Sequence, residues 1–152
     1  MIFGKESDFA IELGDSGSKT LAPVRIWIGG VAIGTMDEET YLPSLVHQLN
    51  RILDYPPLLD TEWCQLQNNG LNYILSEDCP ENGRFLVGFG ESFDDFVLAR
   101  YKSEKGVVFL IQATEHPFFT YDKFTPGERC QSVLDESSVY SAVLKLNSNL
   151  KL

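Results

Sequence analysis

Arg25-Ile26-Trp27-Ile28-Gly29-Gly30-Val31-Ala32-Ile33-Gly34 reads as a β-hairpin. Gly29 and Gly30 supply the two positive-φ positions that a tight two-residue turn requires. Such a turn pairs Ile28 with Val31 and Ile26 with Ile33, and these four side chains then share one face. Trp27 and Ala32 point the other way, so turn geometry and burial select the same register. Upstream, Phe9, Ile11 and Leu13 alternate with Ala10 and Glu12, the pattern of a strand with one buried face. Gly14-Asp15-Ser16-Gly17-Ser18 is the loop between them.

Downstream, Leu42, Leu45, Val46, Leu49, Ile52 and Leu53 follow the spacing of an amphipathic helix over 41–54. Pro43 suits its first turn, and Pro56-Pro57 ends it. In residues 60–83, Trp63–Leu66 and Leu71–Leu75 are read as short strands, followed by a turn-rich loop over Glu77–Gly83. Strands are expected at 84–89, 95–102 and 107–113, the last two joined by a hairpin around Ser103–Gly106. Phe96–Ala99 and Val107–Ile111 are apolar on both faces, as in central strands covered on each side. Glu115–Arg129 reads as an aromatic loop. A closing helix starts near Ser137, with Val139, Tyr140, Val143, Leu144 and Leu146 as its stripe. The expected fold is α+β: one domain over residues 1–152, with a mainly antiparallel sheet of five to six strands and two helices.

The chain has 152 residues and a net charge of −10, from 22 acidic and 12 basic side chains. Residues 35–98 hold twelve carboxylates against Arg51 and Arg84 alone, so this middle segment carries the whole net charge. That balance disfavours nucleic acid and anionic membrane as partners and suits a basic protein. No apolar run approaches the ~20 residues of a membrane helix. Met1–Glu6 lacks the pattern of a secretory signal, so a cytoplasmic location is expected.

Catalytic chemistry is sparse. The cysteines, Cys64, Cys79 and Cys130, are widely spaced and form no Cys-x-x-Cys pair. Gly88-Phe89-Gly90 lacks the third glycine and the lysine of a phosphate loop. Neither Asp37-Glu38-Glu39 nor Asp94-Asp95 has the alternating ligands of a calcium loop. No catalytic residue, cofactor or metal is therefore assigned. His47 falls at the edge of the first helix's apolar stripe. A cysteine hydrolase using Cys130 or Cys64 with His116 stays open as an alternative.

Binding has a firmer basis. Acidic residues cluster at Asp37-Glu38-Glu39, at Glu77-Asp78 with Glu81, and at Glu91 with Asp94-Asp95. All lie in loops or at element ends, where binding groups concentrate. Phe93, Tyr41, Phe96 and Trp63 lie close by, and aromatic anchors ringed by charge suit a protein interface. Core positions are expected for Phe96. The binding set is Asp37, Glu38, Glu39, Trp63, Glu77, Asp78, Glu81, Glu91, Phe93, Asp94 and Asp95. Charge reversal at Asp94-Asp95 or Glu38-Glu39 is expected to weaken binding without unfolding the chain.

Met1-Ile2-Phe3-Gly4, Phe9-Ala10-Ile11-Glu12, and Ile26-Trp27-Ile28-Gly29-Gly30 with Ile33-Gly34 together resemble the start of a known group. It is the small immunity proteins of bacterial polymorphic toxin systems, which include contact-dependent growth inhibition immunity proteins. The resemblance ends by Asp54. It implies stoichiometric inhibition of a cognate toxin's C-terminal domain, often a nuclease with a basic surface, and no enzymatic activity. It transfers no contact residue by position. An acidic adaptor domain without a toxin partner is a further alternative, and the sequence leaves monomer and dimer open.

Overall fold

The glycine turn is formed as the sequence requires: Gly29 and Gly30 have φ of 59° and 86°. In the computed structural model, which describes residues 1–121 and 124–151, the hairpin belongs to a five-stranded antiparallel sheet. Its strands are β1 (Ile2–Gly4), β2 (Phe9–Leu13), β3 (Leu21–Ile28), β4 (Val31–Ile33) and β5 (Glu39–Tyr41). Ile28 opposes Val31 and Ile26 opposes Ile33, the register expected. Along β3, Ala22, Val24, Ile26 and Ile28 are buried while the residues between them are more exposed. β4 pairs with Ile26–Ile28, and β5 with Leu21–Pro23.

A second antiparallel sheet has the order β6 (Leu86–Val87), β7 (Phe96–Ser103), β8 (Gly106–Ala113) and β9 (Arg129–Leu134). The β7–β8 hairpin closes at Ser103 opposite Gly106. The two sheets face each other across the main core, where the Phe9 and Phe109 rings stack at 5.9 Å. Helices α1 (Leu42–Asn50) and α4 (Glu136–Leu150) complete that core through Leu45, Leu49, Val139 and Leu146. The far face of the second sheet presents Ala99, Tyr101, Val108 and Leu110 to a smaller core. Helices α2 (Asp60–Asn69) and α3 (Leu71–Ile74) cover it. β7 and β8 are therefore buried on both faces, as their apolar runs indicate.

The α+β class and the antiparallel pairing agree with the sequence, and the element counts need correction. Nine strands in two sheets and four α-helices are present among the described residues. Trp63–Leu66 and Leu71–Leu75 are helical, not strands. Asp60 and Glu62 complement the positive end of the α2 dipole, and the Glu62 carboxylate accepts the Leu59 N–H at 3.2 Å. Gly70, at φ 52°, then separates α2 from α3. The strand expected at 84–89 shrinks to Leu86–Val87, because Asn82–Arg84 forms a 3₁₀ turn. Strands β1, β5 and β9 are additions. In α4, Tyr140 and Leu144 are exposed and Ala142 takes their place in the buried stripe. Phe96 is core, and Tyr41 is exposed. The loop expected over Glu115–Arg129 includes positions 122 and 123, outside the described residues.

Two ion-paired carboxylates, the buried Glu62 and the half-buried Glu12, make stability depend on pH. Burial pushes Glu62 up, but hydrogen bonds from Arg84, the Leu59 amide and Tyr73, with the Arg84 charge, outweigh it and hold its pKa below the ordinary glutamate value. Burial likewise pushes Glu12 up, and Arg25 and Trp27 reverse it. Both groups stabilise the fold fully above the ordinary glutamate value and lose that contribution as pH falls through their lower folded values. Glu62→Gln is expected to cost about 2 kcal/mol at pH 7, the loss of charge-assisted bonds at a buried site. Urea unfolding of both proteins at pH 7 and pH 3 checks this, because the gap should close in acid.

Candidate functional site

Two of the three acidic clusters meet in space. Thr40 of β5 donates from its hydroxyl to the Ser92 hydroxyl at 2.9 Å, and both residues are buried. Ser92 lies in a 3₁₀ turn over Glu91–Phe93. The hydroxyl pair thus fixes Glu39 beside Glu91, although 52 residues separate Thr40 from Ser92 in sequence. Gly34 reinforces the contact: its φ is +89°, and a Cβ there would run into the Phe93 ring. Asp37, Glu38, Glu39, Glu91 and Asp94 are exposed along this edge. Ser16 donates to the Glu39 carboxylate at 3.0 Å.

Phe93 and Asp95 lie beneath that edge. Phe93 is 5% exposed, packed edge-on against Phe89 at 5.4 Å. Asp95 is 3% exposed, and its carboxylate accepts the Phe118 amide at 2.8 Å, the Phe119 amide at 3.0 Å and the Tyr121 hydroxyl at 2.8 Å. Burial and then that hydrogen bond raise the Tyr121 pKa. Asp95 therefore anchors the segment after β8, and the outcome expected for reversal at Asp94-Asp95 splits between the two residues.

Glu77, Asp78 and Glu81 are exposed in the turns after α3, over the smaller core. No hydrogen bond or ion pair among the described residues joins them to the other clusters. Trp63 is half-buried on α2, edge-on to Tyr101 at 6.1 Å. Thus the structure gathers Asp37, Glu38, Glu39, Glu91 and Asp94, and leaves Trp63 and the 77–81 turn apart.

Two hollows adjoin the acidic edge. One, of about 290 Å³, is lined by Val87, Phe89, Phe93 and Phe96 with Glu91 and Asp94 at its rim. The other, of about 250 Å³, lies on the outer face of the first sheet, where Asp37 meets Arg25, Trp27 and Tyr121. There Arg25 pairs with Glu12 at 2.9 Å and lies over the Trp27 ring, whose Nε1 donates to Glu12 at 3.0 Å. Phe118, held by Asp95, is 87% exposed. Sequence reasoning missed Trp27, Phe118 and Tyr121 as surface aromatics. Trp27 was identifiable from its position opposite the buried face of the hairpin. The two others depend on the Asp95 bonds, which no local pattern announces.

The hydrolase alternative requires an activated thiol. Burial, aided by Glu128, pushes the Cys130 thiol up instead. No group of three or more histidine, cysteine or carboxylate side chains suited to a metal occurs among the described residues. No helix among them is long and apolar enough to cross a membrane.

A search of curated proteins found no match. The crystal structure of CdiI from Burkholderia dolosa superposes with a TM-score of 0.61 at 15% sequence identity, covering 98% of this chain and 99% of that one. At that identity the likeness is one of fold. The profile of the family described as Immunity protein 42 matches residues 1–147, and the chain belongs to that immunity protein family.

Proposed function

We propose that this protein neutralises a cognate toxin domain in the cytoplasm by stoichiometric binding, without turnover, as one domain. The toxin is a basic nuclease, and the contact surface is the edge formed by Asp37, Glu38, Glu39, Glu91 and Asp94. Glu77, Asp78 and Glu81 form a second acidic patch. Phe93 and Asp95 support the edge from beneath, and Trp63 supports the helical layer. The observation that carries this reading is the joining of two acidic clusters across the Thr40–Ser92 hydrogen bond, beside a hollow walled by phenylalanines. Membership of an immunity protein family and the CdiI-like fold support it.

A nuclease needs cationic groups to hold phosphates, and an acidic inhibitor engages those groups. Charge complementarity also raises the encounter rate, to about 10⁸–10⁹ M⁻¹s⁻¹ at low salt. The decisive experiment is calorimetric titration with the C-terminal toxin domain encoded immediately upstream. One-to-one binding is expected. Glu38→Lys with Asp94→Lys should weaken it by about 10- to 100-fold, with unchanged thermal unfolding. Association should slow as the Debye length contracts from about 30 Å at 0.01 M salt to about 8 Å at 0.15 M. Full affinity in the double variant would remove the acidic edge from the interface.

A further inference from the structure

The acidic middle segment encloses a cationic pocket. It has a volume of about 480 Å³ and lies between the chain leaving α1 and edge strand β6. Arg51, Arg84 and Arg100 line it together with Tyr55, and Asp54 is the single carboxylate among its described lining residues. Arg84 is committed to Glu62 and to the carbonyls of Pro57 and Pro80. Arg100 is 8% exposed and donates to the carbonyls of Ile52, Asp54, Arg84 and Phe85. Its charge is therefore compensated by dipoles and not by a directly bonded carboxylate. Arg51 approaches Asp54 only at 3.9 Å, and its side chain is 65% exposed.

Tyr55 carries an orphan. Its hydroxyl is buried and has no hydrogen-bond partner among the described residues. Such groups are rare in folded proteins because burying them unpaired costs about 1–3 kcal/mol. Lys102 Nζ lies 5.9 Å from the Tyr55 ring centre but pairs with Glu136 at 3.4 Å. Burial and then the Glu136 charge push the Tyr55 pKa up to about 12, so the hydroxyl keeps its proton for donation. An exposed guanidinium held only by a long contact to Asp54, a buried cation and an unused hydroxyl around one hollow suit an oxyanion.

The position of the pocket decides which oxyanion. It shares Val87 with the hollow that Glu91 and Asp94 rim. The acidic edge and the cationic pocket therefore belong to one continuous face. A partner seated on that edge reaches the pocket, whereas a free dianion must approach a protein of net charge −10.

We infer that this pocket receives a carboxylate side chain of the bound toxin, with Arg51 and the Tyr55 hydroxyl as its donors. The inference rests on the proposed immunity function. Opposite charges at the two ends of one face fix a partner's orientation and exclude toxins with the wrong pattern.

Arg51→Glu separates this idea from general acidity. It makes the protein still more acidic, so an interface governed by negative charge alone predicts equal or tighter binding to a basic toxin. A carboxylate-receiving pocket predicts weaker binding. The test uses the full chain and the upstream-encoded toxin domain, titrated with wild type, Arg51→Glu and Tyr55→Phe. Arg51→Glu should lose about 100-fold in affinity with unchanged thermal unfolding, and Tyr55→Phe about 10-fold with equal or higher thermal stability, because it removes an unpaired buried hydroxyl. Wild-type affinity in both variants overturns the pocket and leaves the proposed function standing. Absence of binding by wild type overturns the proposed function and the pocket with it. Saturable binding of inorganic phosphate to the free protein, lost in Arg51→Glu while toxin affinity is unchanged, overturns the partner carboxylate in favour of free phosphate.

Discussion

Asp95→Lys is expected to cost more than about 4 kcal/mol and to leave the chain largely unfolded, whereas Asp94→Lys changes stability by less than about 0.5 kcal/mol. The two residues are adjacent and chemically identical, so the difference lies in their surroundings. Asp94 is exposed at the end of a 3₁₀ turn. Asp95 ends the turn directly before β7 with its side chain inward, and three donors from the 118–121 segment converge on it. An ammonium there would face those N–H and O–H groups in a site that is 3% exposed. Asp95→Asn keeps the shape but loses the charge and one acceptor, for a cost of about 2–4 kcal/mol. Tyr121 and Phe124 would then lose their edge-on contacts with Phe96, at 4.7 and 5.2 Å. Urea unfolding followed by near-ultraviolet circular dichroism measures both effects. Asp94→Lys should combine unchanged stability with weakened toxin binding. Equal destabilisation by the two lysine variants would contradict the assigned geometry.

How far the sequence speaks depends on the range of the interaction involved. The Gly29-Gly30 hairpin and the Ser103–Gly106 hairpin are local, so alternation and turn chemistry define their registers. The helix expected over 41–54 announces itself through its apolar stripe and its prolines, although it ends at Asn50 and Ile52 and Leu53 lie in the turn beyond it. Residues 60–75 mislead because Leu71, Tyr73 and Leu75 alternate like a strand while Trp63, Leu66, Leu71 and Ile74 also fit helical spacing. Short apolar runs do not distinguish the two periods, and the deciding groups are Glu62 at the helix start and Gly70 between the helices. β9 is harder still. Its even positions are covered only because the main core lies beneath them, with Cys130 and Leu134 packed on it and Ser132 against Gly29 of the β3–β4 turn. The acidic clusters are legible as composition, but their joining through Thr40 and Ser92 is not. Charge in a sequence says which residues seek solvent or a partner, and only the chain's path says which share a surface.

The same distinction between local and long-range information governs Arg100→Leu, which is expected to cost about 3–5 kcal/mol. In sequence, Arg100 is an isolated base in an apolar strand. In the fold its guanidinium ties the chain leaving α1 to the turn that leads into β6. Nε donates to the Ile52 carbonyl at 2.9 Å and Nη2 to the Asp54 carbonyl at 2.9 Å, both just beyond the negative end of α1. Nη1 donates to the Arg84 carbonyl at 2.8 Å and the Phe85 carbonyl at 3.3 Å, in the turn that leads into β6. Leucine could fill part of the volume but would remove this donor from the Ile52, Asp54 and Arg84 carbonyls, while the Phe85 carbonyl keeps the residue-100 amide at 3.0 Å. Lysine would keep the charge yet could not replicate the planar fork, so Arg100→Lys should recover only part of the loss. Hydrogen exchange gives the sharper signature. Amides of residues 52–55 and 84–87 should lose protection in Arg100→Leu, while the β2–β3 ladder at Phe9–Leu13 follows global unfolding alone. Uniform loss across both sheets would mean that Arg100 acts through the common core. Selective loss would identify it as the clamp that shapes the cationic pocket, and would explain why an acidic protein keeps a buried base beside its proposed toxin-facing surface.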